Sequence, residues 1–452
     1  MEPNEIGPYG PKQNQVVLMF SQSQSSVVFH TEETLTRNEL HALQLQRLQA
    51  ILDRVGRSPF YRDKIAPDHT VQRLEQLQDL PVTTKNDLRA GYPYGFLTEP
   101  LSSLIRLHAS SGTTGSPTAI LYTRQDVDTW ADLVARCMHM VGMRPCDVFQ
   151  NLSGYGLFTG GLGIHYGAER LGCLTIPAGA GNSKRQIKLL KDFQVSSVHI
   201  IPSYALHLTT VFDELGIDPR SLALRIALIG AEPHTEEIRQ RIEEVYGVKA
   251  YNSYGLSEMN GPGVAFECPA QKGMHIWEDA YIPEILDPQT LEPVADGEVG
   301  ELVVTTLTRQ GMPLIRYRTR DLTRFIPGEC SCGRAHRRID RILGRADDMI
   351  IIKGVNIYPM QVEQVLMGIE EVGQNYQIIL ERDEFIDQMR IKVEIKDEAF
   401  VEDMRVLQAL RQRIIRALRE EILITPKVDL VEHNSLPRSQ GKAERVVDRR
   451  EG

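Results

Sequence analysis

From residue 36 onward the chain alternates stretches of helical hydrophobic spacing with short apolar runs of strand length. Thr36 and Glu39 are placed as a capping box, and Leu40, Leu43, Leu48, Ile51, Leu52 and Val55 then recur on one helical face until Gly56 ends the run. Up to about residue 260 the pattern repeats, as in Val198-His199-Ile200-Ile201 before Pro202 and Ile226-Ala227-Leu228-Ile229 before Gly230. This alternation predicts an α/β fold with a parallel sheet covered by helices on both faces, and ligands in such sheets sit beyond the carboxyl ends of the strands. Gly230-Ala231-Glu232-Pro233 lies at one such end. Residues 1–31, rich in Gln, Ser, Asn and Pro without a sustained period, are expected to form an extended or disordered lead.

The pattern changes near residue 347. Gly344-Arg345-Ala346-Asp347-Asp348 is a charged turn that passes into the apolar run Met349-Ile350-Ile351-Ile352, as a linker into a new domain would. Beyond it the spacing predicts a helix near 360–369 and strands around Gln377-Ile378-Ile379-Leu380 and Ile391-Lys392-Val393-Glu394. A long helix over 399–422 and a strand at Val428-Asp429-Leu430-Val431 complete an α+β unit. The expected organisation is a lead over 1–31, a large domain over 32–346 with mixed and parallel sheets, and a small C-terminal domain over 347–452.

A length of 452 residues agrees with more than one core. The net charge of −9 argues against nucleic acid or an anionic membrane as the main partner. Six sparse, irregularly spaced cysteines suit a reduced, cytoplasmic setting better than a disulfide framework. The first apolar run, Val16-Val17-Leu18-Met19-Phe20, is too short for a membrane span and follows no basic segment. No Gly-x-Ser-x-Gly elbow supports a hydrolase. The acidic pair Glu278-Asp279 has no sugar-binding context, and His108, His165 and His199 sit in apolar or strand settings that favour core roles.

Candidate chemistry begins with Ala109-Ser110-Ser111-Gly112-Thr113-Thr114-Gly115-Ser116-Pro117-Thr118, where hydroxyl donors and two glycines suit a phosphate. Ile105 and Leu107 are expected to end a short buried strand before this loop, and Ala119-Ile120-Leu121-Tyr122-Thr123 to form another after it, so it is not a Walker A loop opening a helix. Tyr251-Asn252-Ser253-Tyr254-Gly255-Leu256-Ser257-Glu258 is expected to run from a strand into a glycine turn, with Tyr254 able to stack on a base and Glu258 to hold Mg²⁺. Asp321, after the basic run Arg316-Tyr317-Arg318-Thr319-Arg320, suits ribose hydroxyls. Cys330 and Cys332 with Cys268 and His275 supply four soft ligands for a closed structural Zn²⁺ site, His336 being a reserve ligand.

With these segments in order, the chain resembles the adenylate-forming superfamily of acyl-CoA synthetases, and within it the phenylacetate-CoA ligase family, over residues 36–446. The most family-specific strings are Gly154-Tyr155-Gly156-Leu157-Phe158-Thr159-Gly160-Gly161-Leu162-Gly163 and Tyr166-Gly167-Ala168-Glu169-Arg170-Leu171-Gly172. The resemblance implies an AMP-forming ligase that joins an aryl acid to coenzyme A by way of an acyl-adenylate, using ATP and Mg²⁺. Ser110, Ser111, Gly112, Thr113, Thr114 and Gly115 would hold the ATP phosphates, and Ala231-Glu232-Pro233 with Tyr254 would enclose the adenine. Glu258 would place Mg²⁺, Asp321 would bind the ribose, and Arg345 would reach the ribose or α-phosphate. Asp347 would be the hinge of a mobile C-terminal domain, Gly354 would line the pantetheine path, and Tyr155 and Phe158 would wall the acid's ring. Lys442, in Ser435-Leu436-Pro437-Arg438-Ser439-Gln440-Gly441-Lys442, would be the catalytic lysine of acid activation.

A homodimer is also implied. Ser116 stands where many such relatives carry Lys, a departure that would weaken phosphate contacts. Two other readings remain open from the sequence: adenylyl transfer to a cofactor or carrier without a CoA thioester, and a non-catalytic nucleotide-binding relative.

Overall fold

The computed structural model describes residues 28–66, 69–109, 118–352, 355–383, 386–396, 404–436 and 445–450. The capping box forms as its spacing predicts. Thr36 accepts from the Glu39 amide, the Glu39 side chain caps back, and the helix Arg37–Val55 buries Leu40, Leu48, Ile51, Leu52 and Val55. Structure begins before this helix, however, in a 3₁₀ turn at Thr31–Thr34. Its Glu33 is fully buried and pairs with Arg334 at 2.7 Å and Arg136 at 3.6 Å. A segment tied down by ion pairs carries no hydrophobic period, which is why the sequence pattern places the start of order too late.

Among the described residues, nine strands form one mixed sheet. Leu174–Ile176, Val148–Asn151, Ser197–Ile200, Ile226–Gly230 and Lys249–Leu256 run parallel, in that spatial order. Gly261–Glu267, Met274–Ile276, Arg338–Ile339 and Phe325–Ile326 continue it antiparallel. A second, antiparallel sheet of four strands holds Tyr281–Leu286, Gly300–Thr306, Tyr317–Thr323 and Gly344–Arg345. The small C-terminal unit is α+β: strands Lys427–Val431, Ile386–Ile395, Val372–Asp383 and Val446–Asp448 with helices Pro359–Met367 and Met404–Ile422. It has its own core, centred on Ile378, Ile391, Val393, Ile414 and Leu418.

Leu104–Ala109 pairs antiparallel with Ala119–Thr123, so the hydroxyl-rich segment 110–117, which lies outside the described residues, joins two strands. The first of these is not buried as expected. Ile105 and Leu107 are 45% and 44% exposed, while the alternate positions turn inward, with His108 1% exposed and Arg106 stacked on the Tyr166 ring at 4.5 Å. Strand alternation puts the polar set inside here, because Tyr122 and Trp130 offer aromatic edges to the His108 ring.

Helix Thr159–Leu171, which follows the aromatic segment, lies tightly against helix Arg124–Met140. A Cβ on Gly163 would stand 2.2 Å from the Trp130 ring, and one on Gly167 would stand 2.3 Å from Val134 Cγ1. Gly163 and Gly167 of the family-specific strings therefore set a helix–helix distance. Gly167→Ala is expected to destabilise the protein by about 1–3 kcal/mol through overpacking, read as a lower denaturant midpoint; an unchanged midpoint would mean that the two helices separate at no cost.

Candidate active site

A cavity of about 950 Å³ opens beyond the carboxyl ends of the parallel strands. Its lining brings together residues that are far apart in sequence: Phe158; Ala231, Glu232 and Pro233; Asn252, Ser253, Tyr254, Gly255 and Glu258; Asp321; and Arg345 with Asp347. Tyr155 does not line it. The Tyr155 hydroxyl is instead held behind the segment by Asn151 at 3.0 Å and His165 at 3.3 Å, while Phe158 stands at the cleft 52% exposed. Ser110, Ser111, Gly112, Thr113, Thr114, Gly115, Gly354 and Lys442 lie outside the described residues.

Strand Lys249–Leu256 continues through Gly255 rather than turning there, with a register shift between Tyr254 and Gly255. Gly255 serves close approach, since a Cβ would fall 1.6 Å from the Gly261 carbonyl oxygen. Tyr254 is buried, and its hydroxyl donates to Asp321 Oδ2 at 2.7 Å. Burial and the neighbouring Asp321 charge push this phenol well above its ordinary pKa, so it stays a donor. The other Asp321 oxygen accepts from Arg345 Nη1 at 3.1 Å. The same guanidinium forks onto Asp347 through two bonds of 2.9 Å. Asp321 retains acceptor capacity, because each carboxylate oxygen offers two lone pairs.

Glu258 is buried, with Lys85 Nζ at 3.7 Å from its carboxylate. Sequence reasoning passed over Lys85 and its neighbours Asn86 and Arg89, which also face the cleft. They sit on the short helix Lys85–Ala90, whose Thr84/Asp87 capping box was a legible start signal. His234 was missed as well. It lines the cleft, and burial lowers its pKa to about 4, so it is neutral at neutral pH. His199 is lowered to about 4 for the same reason and bonds Ser153 at 2.7 Å. Glu278 and Asp279 are structural: they are buried against Arg37, Arg337 and Arg136.

Away from the cleft, Cys268, His275, Cys330 and Cys332 bring their ligand atoms within 4.8 Å of one another. Cys268 and Cys330 sulfurs are 3.5 Å apart, and Cys332 Sγ is 3.3 Å from His275 Nε2. His275 Nδ1 donates to the His336 carbonyl at 2.8 Å, which leaves the Nε2 lone pair facing the thiols. The donor set therefore fits a closed tetrahedral ion. Cys332 is held well below the ordinary thiol range by Cys268 and His275. His336 is not a ligand in reserve: its Nε2 donates to the Glu32 carbonyl at 2.9 Å, and its Nδ1 accepts from the Glu278 amide at 3.2 Å.

The class follows from a cleft of this layout in a large α/β domain followed by a small α+β one. Residues 10–308 match the family model described as AMP-binding enzyme, and residues 354–450 match the AMP-binding enzyme C-terminal domain. The chain is 46% identical to phenylacetate-coenzyme A ligase of Thermus thermophilus, over 92% of this chain and 98% of that one. It is 44% identical to the Escherichia coli enzyme of the same name, over 92% and 97%. Among solved structures, 2-hydroxyisobutyryl-CoA ligase in its postadenylation state with 2-HIB-AMP superposes with a TM-score of 0.89 at 31% identity, covering 96% of this chain and 94% of that one. The same enzyme with 2-HIB-AMP and CoA in the thioesterification state gives 0.71. The chain belongs to the phenylacetate-coenzyme A ligase family of adenylate-forming enzymes.

The Tyr254 to Asp321 bond should contribute measurably to stability. Tyr254→Phe is expected to lower the unfolding free energy by about 1.5–3 kcal/mol, the range for a hydrogen bond to a charged group, in urea melts at neutral pH. An unchanged midpoint would mean that Asp321 is equally well satisfied without the phenol.

Proposed function

We propose that this protein is an AMP-forming ligase that activates an aryl acid, phenylacetate or a close analogue, with ATP and transfers the acyl group to coenzyme A. The observation that carries this reading is the convergence, in one cleft, of Tyr254, Glu258, Asp321 and Arg345 with the Asp347 turn. Its relatives' names, and the adenylate-bound states of its structural neighbour, support the same chemistry.

In this reading Ala231, Glu232, Pro233 and Tyr254 enclose the adenine, with Asn252, Ser253 and Gly255 forming the adjoining wall. Asp321 accepts the ribose hydroxyls, and Arg345 reaches the ribose or α-phosphate. Glu258 holds Mg²⁺. Lys85 offers an ammonium beside it, a cation suited to the outer phosphates where Ser116 supplies none. The loop Ser110–Gly115 supplies further donors to the phosphates. Phe158 walls the acid's ring, and Tyr155 fixes the segment behind it through Asn151 and His165.

In the first step a carboxylate oxygen attacks the α-phosphorus, the bond to pyrophosphate breaks, and Lys442 stabilises the charge that builds there. The domain over 347–452 then turns on Asp347 relative to the domain over 32–346, with 1–31 as a lead. Lys442 leaves and Gly354 lines the incoming pantetheine. The CoA sulfur attacks the acyl carbon, AMP departs, and the thiol proton passes to solvent. One group cannot occupy the same space in both steps, so the rotation follows from the chemistry.

The cysteine cluster is read as a structural Zn²⁺ site that ties the turn at Cys330–Cys332 to the strand Met274–Ile276. A homodimeric, cytoplasmic enzyme completes the proposal; among the described residues no helix is long and apolar enough to cross a membrane.

Two measurements test this. Pyrophosphate release and thioester formation across a panel of aryl acids, with and without CoA, should give CoA-dependent thioester with phenylacetate or a near analogue; pyrophosphate without thioester, or no turnover with any acid, would contradict the ligase reading. Elemental analysis of purified protein should give about one zinc per chain, with chelation lowering Tm. Protein that is folded and free of stoichiometric zinc would remove the metal site.

A further inference from the structure

The turn that presents Glu258 is held by its own carbonyls. Ser257–Met259 is a single 3₁₀ turn, too short to satisfy those oxygens internally, and it ends at Asn260 with φ +73°. Ser257 O accepts from the Tyr122 hydroxyl at 3.3 Å, Glu258 O from Arg309 Nη1 at 3.1 Å, and Met259 O from the Tyr281 hydroxyl at 2.9 Å. Three consecutive carbonyls thus meet three side chains brought from three distant segments. All three donors are inside the protein: Tyr122 and Tyr281 are 0% exposed and Arg309 is 1%.

Arg309 is an unusual residue to find there. Its guanidinium stacks on the Tyr122 ring at 4.6 Å, and its Nε and Nη2 have no hydrogen-bond partner among the described residues. Among the described residues no carboxylate pairs with it. A buried guanidinium without a paired carboxylate is an expensive feature that a hydrophobic side chain would remove, so packing alone gives no reason for it. Among the described residues its one hydrogen bond goes to the main chain of the residue read above as the Mg²⁺ ligand.

We propose that Arg309 is a positioning residue for Glu258, fixing, with Tyr122 and Tyr281, the turn that aims this carboxylate into the cleft. The proposal rests on the reading of Glu258 as the Mg²⁺ ligand. It goes beyond that reading in assigning metal affinity to a residue that does not line the cleft. Tyr122 follows directly on the segment 110–117 in the strand Ala119–Thr123, so the clamp also ties the metal turn to the strand that receives the phosphate loop.

The test is the Mg²⁺ dependence of ATP–pyrophosphate exchange at saturating acid, measured on the full chain with Tm recorded in parallel. Arg309→Met is expected to raise half-saturating Mg²⁺ by about tenfold or more, as loss of a charged hydrogen bond would, with the acid KM little changed; Arg309→Lys should recover part of it. A folded Arg309→Met with unchanged Mg²⁺ requirement, while Glu258→Gln raises it, overturns the inference and leaves the Glu258 reading standing. An unchanged requirement in Glu258→Gln overturns both. If Arg309→Met does not fold, Tyr281→Phe and Tyr122→Phe remove one oxygen each: a raised Mg²⁺ requirement supports the clamp, and an unchanged one rejects it.

Discussion

The structure turns on one shared guanidinium. Arg345 lies between Asp321, in the cleft, and Asp347, at the start of the C-terminal unit. It links the wall of the cleft to the first residues of the small domain. The bond to Asp347 is half exposed to solvent and so contributes modestly. The bond to Asp321 sits deeper, beside the Tyr254 hydroxyl, and ribose hydroxyls would bring further donors to the same carboxylate. In the cycle proposed above, a nucleotide would change the domain angle only by making different contacts in the two poses, and this triad would be where such a difference arises.

Separate cores would permit the movement proposed above. The C-terminal sheet and helices pack around their own apolar residues, and the crevice between the units still holds a cavity of about 370 Å³. On the C-terminal side Glu363, Tyr376 and Arg445 satisfy one another: the Tyr376 hydroxyl donates to Glu363 at 2.7 Å, and Arg445 stacks on the Tyr376 ring at 4.5 Å. On this part of the crevice the small domain therefore presents charges that are paired among themselves. The overall arrangement is more like the postadenylation state of 2-hydroxyisobutyryl-CoA ligase than its CoA-bound thioesterification state.

Much of this was legible because hydrophobic periodicity and capping chemistry are local. The capped helix Arg37–Val55, the parallel strands at Ser197–Ile200 and Ile226–Gly230, and the α+β order of the C-terminal unit follow from spacing alone. The cysteine and histidine cluster was also legible, since soft ligands are rare enough to count. What escaped was held by long-range polar contacts. Glu33 reaches Arg334 across most of the chain, Lys85 meets Glu258, and Arg309 meets the Glu258 carbonyl. No local pattern marks such partners. Tyr155 and Phe158, three positions apart in one motif, separate because a segment at a helix N-terminus sends one ring to the cleft and the other away from it. Ile105 and Leu107 mislead for a related reason: alternation fixes that one face is inside, but only the neighbours decide which.

In the proposed cycle a single cleft performs two reactions by exchanging which part of the small domain faces it, with Lys442 serving only the first. The direct measurement is Lys442→Ala assayed on the two half-reactions separately. ATP–pyrophosphate exchange with the acid should fall by orders of magnitude, while chemically prepared acyl-AMP and CoA should still give thioester and AMP at close to the unmodified rate. Exchange that survives the substitution, together with loss of thioester formation from prepared acyl-AMP, would contradict it.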